Sequence, residues 1–236
     1  MAQATLQAAP TTHNTTQDEA TSVTISVTVA AGTDTVLLAM VALEGNGAGG
    51  GGISSATFNG DALTKLDSVA TATWSLAEAW YRVAPDVGTF NLVINWALDK
   101  AISAAYVCDN VNQSTPLRTA AKSAATTGTS VSNTVGSVAA DDLCVDVLCI
   151  DGGNHAVEPG ADQTEQYEIN VQVTNYCQGS GSTQDGGAGG VMSHTWTGSA
   201  PYSHVATALV GAGTAPKALP PFRPRNTFSR RRGRFF

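Results

Sequence analysis

Four histidines, nineteen carboxylates and four cysteines are the groups from which this 236-residue chain could assemble a reactive site. Acyl transfer needs a Ser or Cys nucleophile, a His base and an orienting acid brought together. His13, His155, His194 and His204 stand in four different contexts, and no GxSxG motif sets a serine on a strand-to-helix turn. His194 and His204 fall on neighbouring expected strands, "VMSHTWTG" and "YSHVATALVGA", which could pair them in space. A metal centre would still need a third ligand at the same depth. The expectation is solvated strand histidines, with no catalytic residue, no metal and no cofactor.

"DGGNHAVEPGADQTE" gathers Asp151, His155, Glu158, Asp162 and Glu165 among glycines, a superficial likeness to a calcium loop. It lacks the one-three-five oxygen spacing and the closing bidentate glutamate, so it reads as an acidic, turn-rich loop. Trp74, Trp80, Trp96 and Trp196 are candidate stacking platforms for sugars. Trp96 is in phase with Phe90, Leu92 and Ile94, which places it in the core; Trp74 precedes its strand and reads as exposed. Cys108, Cys144, Cys149 and Cys177 show no ligand spacing and read as small buried hydrophobes rather than disulfides.

The elements that must position these groups are strands. "TSVTISVTV" puts Val23, Ile25, Val27 and Val29 on one face and Thr or Ser on the other, the period of a half-buried antiparallel strand. "DTVLLAMVALEG" is apolar on both faces, as a central strand covered on each side must be. "ATFNGDALTKL" is a hairpin about an Asn-Gly turn. "AEAWYRVA" and "GTFNLVINW" flank a Pro-Asp turn; "AISAAYVCDNV", "DDLCVDVLCID", "YEINVQVTNYC", "VMSHTWTG" and "YSHVATALVGA" follow as further strands. The Ser/Thr-rich "KSAATTGTSVSNTVGSV" reads as one polar edge strand, and Asn46–Gly52 and Gly179–Gly190 as glycine loops. No helical period of useful length and no internal repeat stand out. About ten short strands between turns predict an all-β, two-layer antiparallel β-sandwich, jelly-roll-like, over residues 21–212. An extended N-terminal arm (1–20) and a C-terminal strap (213–236) flank it.

Charge divides the chain. From Lys217 onward there are seven basic residues and no acid, whereas the preceding part carries all nineteen acids and a net charge of −14. The longest strongly apolar run, Val36–Leu43, is strand-sized, so no membrane span is expected. The first twenty residues lack the plan of a secretory signal, which points to synthesis in a cytoplasm without export. In "PPFRPRNTFSRRRGRFF", three prolines stiffen the strap and lower the cost of ordering it. Phe222, Phe228, Phe235 and Phe236 are spaced as anchors for pockets on a partner. Arg223, Arg225, Arg230, Arg231, Arg232 and Arg234 offer forks for carboxylates of a neighbouring acidic body. The same arginines would also neutralise nucleic acid, with strong salt dependence.

"VLLAMVALEG", "ATFNGDALTKL", "AEAWYRVAPDVGTFNLVIN", "VCDNVNQSTPLR" and "SHTWTGSAPYSHVATALVGA" together resemble a β-sandwich domain that recurs in bacteriophage virion proteins and bacterial surface proteins. The resemblance spans most of the sandwich and implies a structural or adhesive module. It supplies no catalytic residue and does not cover the basic tail. The expectation is a non-enzymatic virion structural protein, a capsid decoration or appendage component, made in the host cytoplasm. Its partners would be other virion proteins and copies of itself, with nucleic acid a minor one. The alternative is a carbohydrate-binding adhesion module reading a host glycan through the two glycine loops.

Overall fold

The computed structural model describes residues 2–14, 20–44, 52–71, 75–97, 100–173 and 175–213. β1 (Thr5–Leu6) and β2 (Thr11–Asn14) lead into β3 (Ser22–Val29), β4 (Val36–Glu44), β5 (Ser55–Phe58) and β6 (Asp61–Ala62). β7 (Thr64–Ala70), β8 (Ser75–Val83), β9 (Gly88–Asn95) and β10 (Ala101–Asp109) follow. The chain continues through β11 (Ala121–Ala125), β12 (Ser130–Thr134), β13 (Leu143–Asp151), β14 (Val157–Pro159) and β15 (Thr164–Val173). It ends with β16 (Asn175–Asp185), a 3-10 turn at Gly186–Ala188, β17 (Val191–Trp196) and β18 (Tyr202–Leu209). Among the described residues there is no α-helix, and no helix long and apolar enough to cross a membrane.

The fold is all-β, built of antiparallel sheets packed on one another. β3 alternates as its sequence requires, with Val23, Ile25, Val27 and Val29 buried and the intervening Ser and Thr exposed. Asn59 and Gly60 both take positive φ (51° and 86°), the turn that lets β5 and β6 pair directly. β4 is buried along its whole length, and β10 and β13 are buried except at their last residue. An apolar strand of that kind needs cover on both sides.

That requirement multiplies the layers. Where the sequence suggests two sheets, the structure has four: β3-β9-β5-β6; β1 and β2 beside β10-β4-β8-β7; β11-β18-β13-β16-β15; and β12-β17-β14. One face of β4 and β10 packs on the first of these sheets through Val27, Leu37, Val41, Phe58, Leu92 and Ile94. The opposite face, with Leu38, Met40, Ile102 and Tyr106, meets Val145, Val147, Cys149 and Val205 of the third. The third sheet's far side is covered by β12, β14 and β17.

The same strand order occurs twice. In the first half β2-β10-β4-β8-β7 lies against β3-β9-β5; in the second β11-β18-β13-β16-β15 lies against β12-β17-β14. Registers coincide: Leu43 pairs with Ala101 and Leu76, and Ile150 with Tyr202 and Gln178. Hydrogen bonds outside the ladders coincide as well. The Trp96 N–H donates to the Thr21 carbonyl and the Trp196 N–H to that of Thr129, both at 2.9 Å. Glu44 to Lys100 and Asp151 to Pro201 form a second such pair, each at 3.0 Å. "DTVLLAMVALEG" and "DDLCVDVLCIDG" are the clearest trace of this correspondence in the sequence. The halves meet through their central sheets.

One expected loop turns out to be largely strand, and one expected edge strand turns out to be two. Gly179–Asp185 lies inside β16, between β13 and β15. Its glycines serve close packing: a Cβ at Gly179 would sit 2.9 Å from Ile102, and one at Gly181 would strike the Tyr167 ring. The Ser/Thr-rich segment yields two edge strands, β11 and β12, in different sheets.

Candidate functional site

His194 and His204 do meet, but across two layers rather than along one sheet. β17 carries His194 in the outer sheet and β18 carries His204 in the central one. Alternation points both into the space between them, where Met192, Trp196, Ala206 and Ala208 are their same-face neighbours. Far from being solvated, His194 is 1% exposed and His204 fully buried. Their rings stand edge to face with centroids 5.5 Å apart.

A third group joins them. Asp146, on β13 between Cys144 and Leu148 of the same face, is also fully buried. Its Oδ2 accepts from His194 Nε2 at 2.8 Å and from His204 Nε2 at 3.1 Å. Its Oδ1 accepts from the Ser182 backbone N–H at 2.6 Å and the Ser182 hydroxyl at 3.0 Å. Four donors therefore replace the water a buried carboxylate loses. Asn133 on β12 contacts His204 Nδ1 at 2.9 Å, and Gln163 donates to the Ser182 hydroxyl at 2.7 Å. His194 Nδ1 has no partner among the described residues.

The electrostatics follow from this packing. Burial alone would raise the Asp146 carboxyl, but the charge and hydrogen bond of His194, with the hydrogen bond of His204, hold it well below the usual carboxylate range. Burial lowers the His204 imidazole, and the nearby carboxylate only partly offsets this. Nucleophile, acid and base thus lie within one cluster, yet the Ser182 hydroxyl is bonded to the carboxylate and not to an imidazole. All four side chains are closed inside the sandwich. The arrangement can hold a charge, share a proton or hold a cation; it offers no surface to a substrate. Among the described residues, these are the His, Cys and acidic groups that converge closely enough for a metal.

The other sequence candidates disperse. His13 is exposed on β2. His155 is buried at the start of the acidic loop, where its N–H donates to Gln178 and its Nδ1 contacts the Thr197 carbonyl. Trp80, Trp96 and Trp196 are all buried, so none presents a face to a sugar. Trp74, the loop residues Gly45–Gly51 and the docking residues from Phe222 to Phe236 lie outside the described residues. The four cysteines are buried and form no disulfide with one another, as the reading of them as small hydrophobes requires. Burial pushes the Cys144 thiol up to about 12 and the Cys108 thiol higher still.

Asp146 was the residue hardest to see from the chain. It sits on the second face of "DDLCVDVLCID", interrupting Cys144, Leu148 and Ile150 as the one charged position of that face's interior. A carboxylate in the middle of a strand whose neighbours are all apolar is the signal that could have found it. No family model, curated protein or solved structure matches the chain.

Proposed function

We propose that this chain is a non-enzymatic structural component of a virus particle, a capsid decoration or an appendage subunit, that works by presenting surfaces. The observation that carries the reading is the burial of the Asp146–His194–His204 cluster inside a doubled sandwich. Groups that could do chemistry are spent on holding two sheets together. In each half the strand order is jelly-roll-like, which agrees with the resemblance to phage virion sandwiches. Fusing two such units through Gly179, Gly181 and the alanines of β4, β8 and β10 makes a thick, stiff block. Such a block suits a scaffold carrying docking segments at its ends.

In this reading the basic C-terminal strap grips an acidic neighbour, a second copy or another virion protein, after synthesis in the host cytoplasm. Nucleic acid is its lesser partner. Deleting residues 217–236 tests it: occupancy on assembled particles should fall to background while the body still folds. Unchanged occupancy defeats the strap. The carbohydrate-binding alternative keeps the Gly186–Gly190 turn but loses Gly179–Asp185 to β16. Saturable binding on a glycan array would restore it.

A further inference from the structure

We propose that Asp146, His194 and His204 form a binding site for a divalent first-row transition ion, Zn2+ the best match, which staples the two sheets of the second half. The inference does not depend on any particle.

Geometry comes first. The three ligand atoms all lie within 4.8 Å of one another, and both imidazole nitrogens already converge on a single carboxylate oxygen. A tetrahedral Zn2+ takes nitrogen and oxygen donors at about 2.0–2.2 Å, which spaces them roughly 3.3–3.5 Å apart. The observed 2.8 and 3.1 Å separations need to open by only a few tenths of an ångström. Two imidazoles and a carboxylate suit zinc in ligand type, as a three-residue set whose fourth position a water carried in with the ion would fill.

The surroundings are those of a held ligand set. Ser182 fixes the carboxylate through two hydrogen bonds, and Asn133 sits on the outer nitrogen of His204. Binding through Nε2 moves each neutral ring's proton to Nδ1, so no proton leaves; a protonated ring would release one to solvent. On His204 the new Nδ1–H needs an acceptor. The Asn133 amide, turned end for end, presents its oxygen there.

The fold itself does not ask for these groups. The corresponding positions of the first half, by register, are Ala39, Ile94 and Ser103, none of them titratable, and most of that interlayer is apolar. Three titratable groups stand at those positions in the second half, at equal depth. A bound cation gives that replacement a purpose: it neutralises the carboxylate and links β13 and β18 to β17. Because the site is closed, the ion would enter as the chain folds, and its binding energy would become folding energy.

The test uses the full, tag-free chain, unfolded in guanidinium with chelator and refolded with or without ZnCl2. After dialysis, metal per chain is measured by atomic emission. About one zinc per chain is expected, with a higher thermal midpoint than the metal-free preparation. His204→Gln should lose the zinc, while His155→Gln should keep it. Refolding with Co2+ gives a readout that needs no variant: strong visible d–d bands mark a tetrahedral site. Wild type that retains no zinc, equal retention by wild type and His204→Gln, or a Co2+ spectrum no stronger than that of the hydrated ion would each overturn the proposal.

Discussion

In the first half, the space between β4, β8 and β10 and the facing β3, β5 and β9 is a largely apolar layer from Val29 to Trp96, with the buried Glu78 on β8 held by Lys65, the Trp80 indole N–H and the Ile53 N–H. Trp80 leans over the small Ala39 beside it in register. In the second half the corresponding space is split into two apolar patches, one around Trp196 and one around Met192. Between them lie Asp146, His194, His204, Asn133 and Ser182, with Ser182 where the first half has Trp80. One backbone plan therefore closes in two ways. Apolar packing is non-directional and tolerates repacking, whereas a buried carboxylate holds only while all its donors remain in place. The second half should be the more brittle toward single changes and the more forgiving of concerted ones.

The largest effects should come from exchanging the two solutions. Asp146→Leu leaves two imidazole N–H groups and the Ser182 N–H buried without an acceptor, and should cost about 3–5 kcal/mol. Urea denaturation with chelator present measures it. Ala39→Asp buries a second carboxylate beside Trp80, whose indole N–H is already given to Glu78, and should cost at least as much. Replacing Asp146, His194 and His204 together by Leu removes the charge and both imidazole donors at once, leaving the Ser182 N–H and hydroxyl as the donors that lose their acceptor. That triple variant should recover most of the loss, to within about 2 kcal/mol of the parent. A triple variant no better than Asp146→Leu alone would show that the cluster is not one energetic unit.

A smaller effect separates the halves at their shared interface. Gly181 on β16 and Ala79 on β8 correspond by register and face the same central core. Only the glycine lies against Tyr167 and the Tyr106 hydroxyl, which leave no room for a methyl group. Gly181→Ala should therefore destabilise by about 1–3 kcal/mol through overpacking. Ala79→Gly should cost only about 0.5–1 kcal/mol, the usual penalty for glycine in a strand. Equal costs at the two sites would mean that the interface is looser than its contacts imply.

How much of this could be read from the residues depends on the kind of signal each feature leaves. Half-buried strands announce themselves: Val23 to Val29 alternate in sequence and in burial. The Asn59–Gly60 hairpin is set by local turn chemistry. β16 was hidden because glycine and serine usually mark loops, and here they mark close approach and a hydrogen-bonding floor. The doubled strand order was hidden because a fold constrains which positions are buried more than which residues fill them. Val36 answers to Leu143 and Met40 to Val147, and such exchanges leave little identity to detect. His194 and His204 were visible as a pair, but Asp146 belongs to a strand with both faces buried. There, polarity alone says nothing about which layer a side chain enters.

The smallest prediction concerns what charge adds to the junction of the halves. Lys122 on β11 donates to Asp67 on β7 at 2.5 Å and to the Ser68 carbonyl at 3.1 Å, bridging the edges of the two central sheets. Burial works against the Asp67 carboxylate, but the hydrogen bond and charge of Lys122 and the Ser68 N–H outweigh it and hold the carboxyl below its ordinary 3.8. A carboxyl lowered by folding stabilises the folded state above its unfolded value. That contribution fades as pH falls through the lower folded value. Both side chains are partly exposed, so Lys122→Ala should cost under about 1 kcal/mol at neutral pH. The deficit should shrink in high salt and again as pH drops below 3.8. A deficit unchanged by both would assign the effect to the packed lysine stem, and the junction would then be held by shape alone.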